Sequence, residues 1–129
     1  DLGVVNAINK RLTGEMDRQS FGRLFEQWVV LETYRLIEYQ KSEASIYYWR
    51  TNHGAEVDLI IEKHGEIVGA FEIKSTPNIE GSHLSGLRSF REENPKVPCH
   101  VISTVENAFE IDKVRILPWQ KYLSAISGL

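Results

Sequence analysis

The sequence contains a single cysteine, Cys99, in 129 residues. An intramolecular disulfide is therefore excluded, and the usage fits a reducing compartment. No apolar run approaches the length of a membrane span and no signal peptide is visible, so a cytoplasmic location without membrane insertion is expected. Charge of one sign is also lacking. The formal net charge is −3, which leaves no global basic footprint, so a nucleic-acid partner would have to meet a local basic patch. Internal repeats and low-complexity linkers are absent. His53, His64, His83 and His100 show neither HxxxH nor HExxH spacing, and one thiol cannot build a thiolate zinc site. No G-x-x-x-x-G-K-[ST] occurs, which excludes nucleotide hydrolysis by a P-loop within this chain.

What is present is ordinary globular usage, with 42% hydrophobic and 26% charged residues. That is enough for one domain with its own core over residues 1–129. The chain begins at Asp1 rather than Met, which fits a piece of something longer. Val4, Val5, Ile8 and Leu12 recur at helical spacing in the opening segment, and "GEMDRQS" reads as a polar loop. From Ser20, taken as N-cap, "SFGRLFEQWVVLETYRLIEYQ" predicts a long helix. Its apolar residues nearly encircle the axis, as if it packed on more than one side.

Strands follow at Ile46 to Thr51, Glu56 to Lys63 and Glu66 to Lys74, with "TNHGA" and "HG" as turns. "HLSGLRSFREEN" predicts a helix that stops before Pro95. "PCHVIST" and "FEIDKVRIL" read as further strands, and "PWQKYLSAISGL" as a closing helix with Pro118 in its first turn. The order α–α–β–β–β–α–β–β–α predicts an α/β or α+β fold, a central mixed sheet flanked by helices.

The chemistry concentrates in "GAEVDLIIEKHGEIVGAFEIKST". Residues two apart on a strand share a face and lie ~6–7 Å apart. Glu56 therefore joins Asp58, and Glu72 joins Lys74. Val57, Leu59 and Ile61, with Ile67, Phe71 and Ile73, point to the other face. Whether the charged sets meet depends on register. A two-residue His64-Gly65 turn pairs Lys63 with Glu66, and puts Asp58 and Glu72 on opposite faces. A three-residue Lys63-His64-Gly65 loop pairs Glu62 with Glu66 and Glu56 with Glu72, leaving Asp58 diagonal to Glu72. A site thus requires an odd-length loop.

Three carboxylates and an ammonium on one patch would repel unless a cation joined them. Hard oxygen ligands suit Mg2+ or Mn2+. Such an ion polarises a phosphate and helps ionise water, and Lys74 could stabilise the hydroxide or the pentavalent transition state. On pattern alone, a half-solvated sheet face with Lys74 neutralising Glu56 or Glu72 is the simpler account.

"VDLII" followed by "FEIKST" resembles the PD-(D/E)XK nuclease superfamily, whose signature is an acid followed by acid–x–lysine on the next strand. More closely, "GRLFEQWVVLE", "GAEVDLII", "FEIKST", "GLRSF" and "ILPWQKYL" together resemble one domain family. It is the uncharacterised domain found C-terminal to an AAA-type ATPase in many prokaryotic proteins. The likeness spans about residues 19 to 123. It implies a restriction-endonuclease-like core and metal ligation by Asp58 and Glu72, with the backbone carbonyl of Ile73. It assigns water activation to Lys74, and Glu26 matches the helical acid that completes such sites. The superfamily's proline before the first acid is here Val57. The implied function is a Mg2+- or Mn2+-dependent phosphodiesterase acting on DNA or RNA and linked to an ATPase domain. The alternative is a non-catalytic nuclease-like module that binds nucleic acid or a protein for that ATPase.

Other residues admit two readings each. Arg23 sits three residues before Glu26 and could pair with it, while Arg35 is placed to pair with Glu32. Arg88 and Arg91 could track a phosphate backbone or form a solvated helix face. His53 and His83 flank the site in sequence and could contact phosphate or lie in solvated loops. Ser75 could bond to the site or end a strand. Trp28 reads as core, and Trp49 and Trp119 as core or partner contacts.

Overall fold

The computed structural model describes Gly14 and residues 17–129. The helix expected over the first twelve residues lies outside the described residues. Helix α1 runs Arg18–Tyr39. Its cap is Asp17 rather than Ser20: Asp17 Oδ1 accepts the Ser20 N–H at 2.9 Å and Oδ2 accepts the Ser20 hydroxyl at 2.9 Å. The extended aspartate reaches the N–H three residues on, one of the donors a helix start leaves unpaired. Phe21, Phe25, Val29, Thr33 and Ile37 are buried, a single i, i+4 stripe. Leu31 is exposed, so the helix buries one main face and not several.

Strands β1 (Ser45–Arg50), β2 (Glu56–Lys63) and β3 (Glu66–Ile73) form an antiparallel meander. A 3-10 turn, Gly81–Leu84, leads into α2 (Ser85–Glu93), which carries the chain to β4 (Cys99–Ser103), parallel to β3. The run "FEIDKVRIL" is two strands, β5 (Phe109–Ile111) and β6 (Val114–Pro118). Asp112 and Lys113 between them both have positive φ, the backbone of a tight two-residue hairpin turn. Helix α3 (Trp119–Ile126) follows, with Pro118 at its cap. The six strands lie in the order β1-β2-β3-β4-β6-β5. Among the described residues this is an α+β fold, three helices on a mixed open sheet, consistent with a restriction-endonuclease-like arrangement.

Two apolar clusters cover the two faces. Leu59, Ile61, Phe71 and Ile73 pack with α1 and α3. Ile60, Ala70 and Val101 pack with Leu84, Leu87 and Phe90 of the 3-10 turn and α2. Thr33 of α1 and Tyr122 of α3, both buried, join the helices through hydroxyls 2.7 Å apart. The Thr33 hydroxyl donates to the Val29 carbonyl at 2.8 Å, so its lone pair accepts from Tyr122. All three tryptophans are packed: Trp28 meets Trp119 edge-on at 5.2 Å, and Trp49 meets Phe90 at 5.3 Å.

Candidate functional site

The β2–β3 hairpin differs from the expected three-residue loop. Lys63 pairs with Glu66, so the turn is the two-residue His64-Gly65. His64 and Gly65 have φ of 55° and 79°, the left-handed pair whose twist matches that of the strands. Parity is restored inside the ladder. Ile61 pairs with Gly69 but Glu62 with Ile67, which leaves Val68 as an extra bulged residue. With the turn tight and the bulge beyond it, Leu59 pairs with Phe71. The same register continued puts Asp58 directly opposite Glu72, not diagonal to it.

A second bulge lies at Asp58 itself. Tyr47 pairs with Ile60 but Trp49 with Val57, so Asp58 and Leu59 together oppose Tyr48. A bulge bends its strand and re-aims a side chain. Each bulge also inverts the alternation beyond it. Val57 falls in the α2-side cluster, apart from Leu59 and Ile61, and Ile67 packs there too, apart from Phe71 and Ile73. The strict two-residue alternation expected for these strands therefore fails at two places.

The ladder stops pairing where β2 and β3 part, and the charged groups gather in that fork. Asp58 Oδ2 accepts the Ile73 N–H at 2.8 Å. Ile73 thus meets Asp58 through its N–H, while its side chain is buried in the α1-side core. The Asp58 carboxyl is within hydrogen-bonding reach of the Glu72 and Glu26 carboxyls. Lys74 Nζ stands 3.9 Å from Glu72 Oε1. Glu26 is exposed along α1, yet its tip reaches the cluster, and among the described residues it makes no ion pair with Arg23. Glu32 is taken by Arg35 at 2.8 Å, as the helical spacing predicts.

Burial and crowding govern the protons here. Glu72 is only 7% exposed. Burial, then the hydrogen bond and charge of Asp58, hold its carboxyl up to about 10, with Lys74 opposing and Glu26 adding. Glu26 is raised for the same reasons, burial first and Asp58 next. Among the described residues, no three His, Cys, Asp or Glu side chains are arranged to hold an ion as they stand.

A cavity of about 430 Å3 opens beside the cluster, lined in part by His53, Glu56, Glu72, Lys74, His83 and Gly86. Glu56 is held to Arg50 at 3.6 Å. Asp58 borders a separate cavity of about 190 Å3 with Val30, Tyr47 and Tyr48, so it stands between the two. Gly86 was not foreseen as a site residue. A Cβ there would lie 1.9 Å from the Glu56 carbonyl oxygen and 3.3 Å from Glu72 Oε2. The signal was a glycine inside a helical segment, a costly choice without a packing reason. Arg88 and Arg91 are spent elsewhere: both bind Asp112, one by ion pair and one at its carbonyl, 2.9 Å away. Ser75 Oγ lies against Gly22 of α1, and its carbonyl accepts the Thr104 hydroxyl at 3.2 Å.

Fold and site together define a class: an α+β domain whose sheet opens at one end around three acidic side chains and a lysine. The chain belongs to the family described as a domain of unknown function (DUF4143), whose model matches residues 21–122. No curated protein and no solved structure matches it significantly. Among the described residues, no helix is long and apolar enough to cross a membrane.

Proposed function

We propose that this chain is a metal-dependent phosphodiesterase domain of the PD-(D/E)XK nuclease type, acting on DNA or RNA in association with an ATPase domain. The supporting observation is the convergence of Asp58, Glu72 and Glu26 within hydrogen-bonding reach, with Lys74 3.9 Å from Glu72. A buried carboxyl that keeps its proton to about 10 marks a place where negative charge is uncompensated. The donor set is all carboxylate oxygen, which suits a hard cation such as Mg2+ or Mn2+. Asp58 and Glu72 would hold it. When bound, it would supply Lewis-acid polarisation of a phosphoryl oxygen and a more acidic water.

The protein groups have separable duties. The Ile73 N–H fixes one oxygen of Asp58 and so holds the carboxyl in the fork beside Glu72 and Glu26. Burial keeps Glu72 from being solvated, so its affinity for a positive partner is high. Lys74 offers a positive charge beside the attacked phosphate, where a pentavalent transition state gathers negative charge. Glu26 brings a third acid from α1 to orient water.

The test is cleavage of labelled DNA and RNA with Mg2+ or Mn2+. Glu72→Ala and Lys74→Ala are each expected to reduce it at least 100-fold; cleavage unchanged in both variants would assign the activity to a contaminant. A second reading is a nuclease-like module that binds nucleic acid or protein without cutting. It is favoured by the Ile73 N–H already occupying Asp58. Calorimetric titration with Mn2+ separates the two, since a catalytic site must take up the ion through Glu72 and a binding module need not.

A further inference from the structure

The cavity beside the carboxylates carries a group that the proposed chemistry does not use. His83 ends the first turn of the Gly81–Leu84 segment and lines the cavity with Glu72 and Lys74. Its orientation is set by a reciprocal cap. The His83 backbone N–H donates to the Glu80 carbonyl at 3.0 Å, and His83 Nδ1 accepts the Glu80 N–H at 3.0 Å. A ring nitrogen that accepts a backbone N–H carries no proton, so the neutral imidazole bears its hydrogen on Nε2. In this arrangement the donor that His83 can offer a ligand is Nε2–H. His83 cannot act as general acid from this state, because giving up the Nε2 proton would leave an imidazolate.

We propose, on the reading that this is a nuclease-type site, that the cavity is a subsite for a phosphate of the strand adjoining the cut bond, and that His83 holds that phosphate by donating from Nε2. Lys74 lines the same cavity and contributes positive charge. Ser85 and Ser89, one turn apart on α2, line the same cavity and add hydroxyl donors. Glu56, the acid on the rim, is engaged by Arg50. At about 430 Å3 the space falls in the ~300–1,000 Å3 range of small-ligand clefts. Gly86 keeps it in place, since α2 can press on β2 only without a side chain there. His83 is thus a substrate-positioning group and no proton is transferred through it.

Two substitutions separate the cap from the donor. His83→Asn retains an acceptor near the Nδ1 position and so the cap, but has no group at Nε2. His83→Gln places an amide N–H near Nε2. The probe is a short fluorescent oligodeoxynucleotide, bound by the intact chain with Ca2+ in place of Mg2+, and read also by imidazole 15N NMR. In the free chain His83 is expected to show the Nε2–H form, and the oligonucleotide should shift that resonance. His83→Asn should weaken binding roughly tenfold, the loss of one hydrogen bond to a charged group, with unchanged melting temperature, and His83→Gln should restore most of it. Undiminished binding by His83→Asn, or an unmoved His83 resonance with oligonucleotide bound, would overturn the proposal. Cleavage that needs Glu72 and Lys74 alongside that result leaves the nuclease reading standing; binding at His83 without any cleavage does the reverse. Failure of both the oligodeoxynucleotide and an oligoribonucleotide of the same sequence to bind overturns both.

Discussion

Single residues decide the site's charge. Asp58, Glu72 and Lys74 are legible in the sequence at strand spacing, and Glu26 through the family resemblance. Their proton state is not, because it depends on burial. Glu72 has an ordinary value of 4.5 in the open chain and is held up to about 10 in the fold. Between those values the folded chain keeps a proton that the unfolded chain has lost, so stability falls as pH rises through that window. Glu72→Gln removes this linkage while its amide still donates to Asp58. It should stabilise the protein by a few kcal/mol, on the order of 2–3, at about pH 8. The gain should vanish as pH falls towards 4.5. Urea midpoints at several pH values measure it, and a gain independent of pH would show that Glu72 is not the titrating group. Mn2+ should raise the wild-type midpoint and leave that of Glu72→Gln unmoved.

Elements decide how those residues meet. The hairpin was expected to need an odd loop, and the requirement of parity was sound. The device was different: a left-handed two-residue turn whose twist suits the strands, followed by a bulge at Val68. The neighbouring Gly69 carries the only sequence trace of it, since a lone glycine inside a strand pattern marks a bulge. The bulge at Asp58 has no such trace, because it arises from pairing with Tyr48 of a different strand. Helix α2 rests on β2 through Gly86, where the backbone carbonyl of Glu56 leaves no room for a methyl. Backbone cannot rotate aside as a side chain can. Gly86→Ala should therefore cost about 3 kcal/mol, the upper end of overpacking, seen as a lower denaturation midpoint. It should also displace α2 from Glu72, so metal and oligonucleotide binding should weaken in the fraction that remains folded.

At the scale of the whole molecule, α1 and α3 close one face of the sheet and α2 the other, and the acids collect where the strands part between the two layers. The first and last described helices are locked by Thr33 and Tyr122, residues far apart in sequence. Thr33→Val keeps the shape but leaves the Tyr122 hydroxyl buried without its acceptor. It should cost about 1–3 kcal/mol, and Thr33→Val with Tyr122→Phe should recover much of it, a coupling that a double-mutant cycle reads directly. The sequence by itself determined most of the elements, the mixed sheet and the charged side chains of β2 and β3, because propensity, periodicity and turn chemistry are local; it left β5 and β6 as one strand. Only the tertiary structure decided that "VDLII" and "FEIKST" are brought into register by two bulges. It also decided that Asp58 stands between an acid of β3 and an acid of α1, and that Glu72 is dry enough to keep its proton. Those properties depend on which distant surfaces exclude water and which strand lies alongside, and no window of sequence contains both partners.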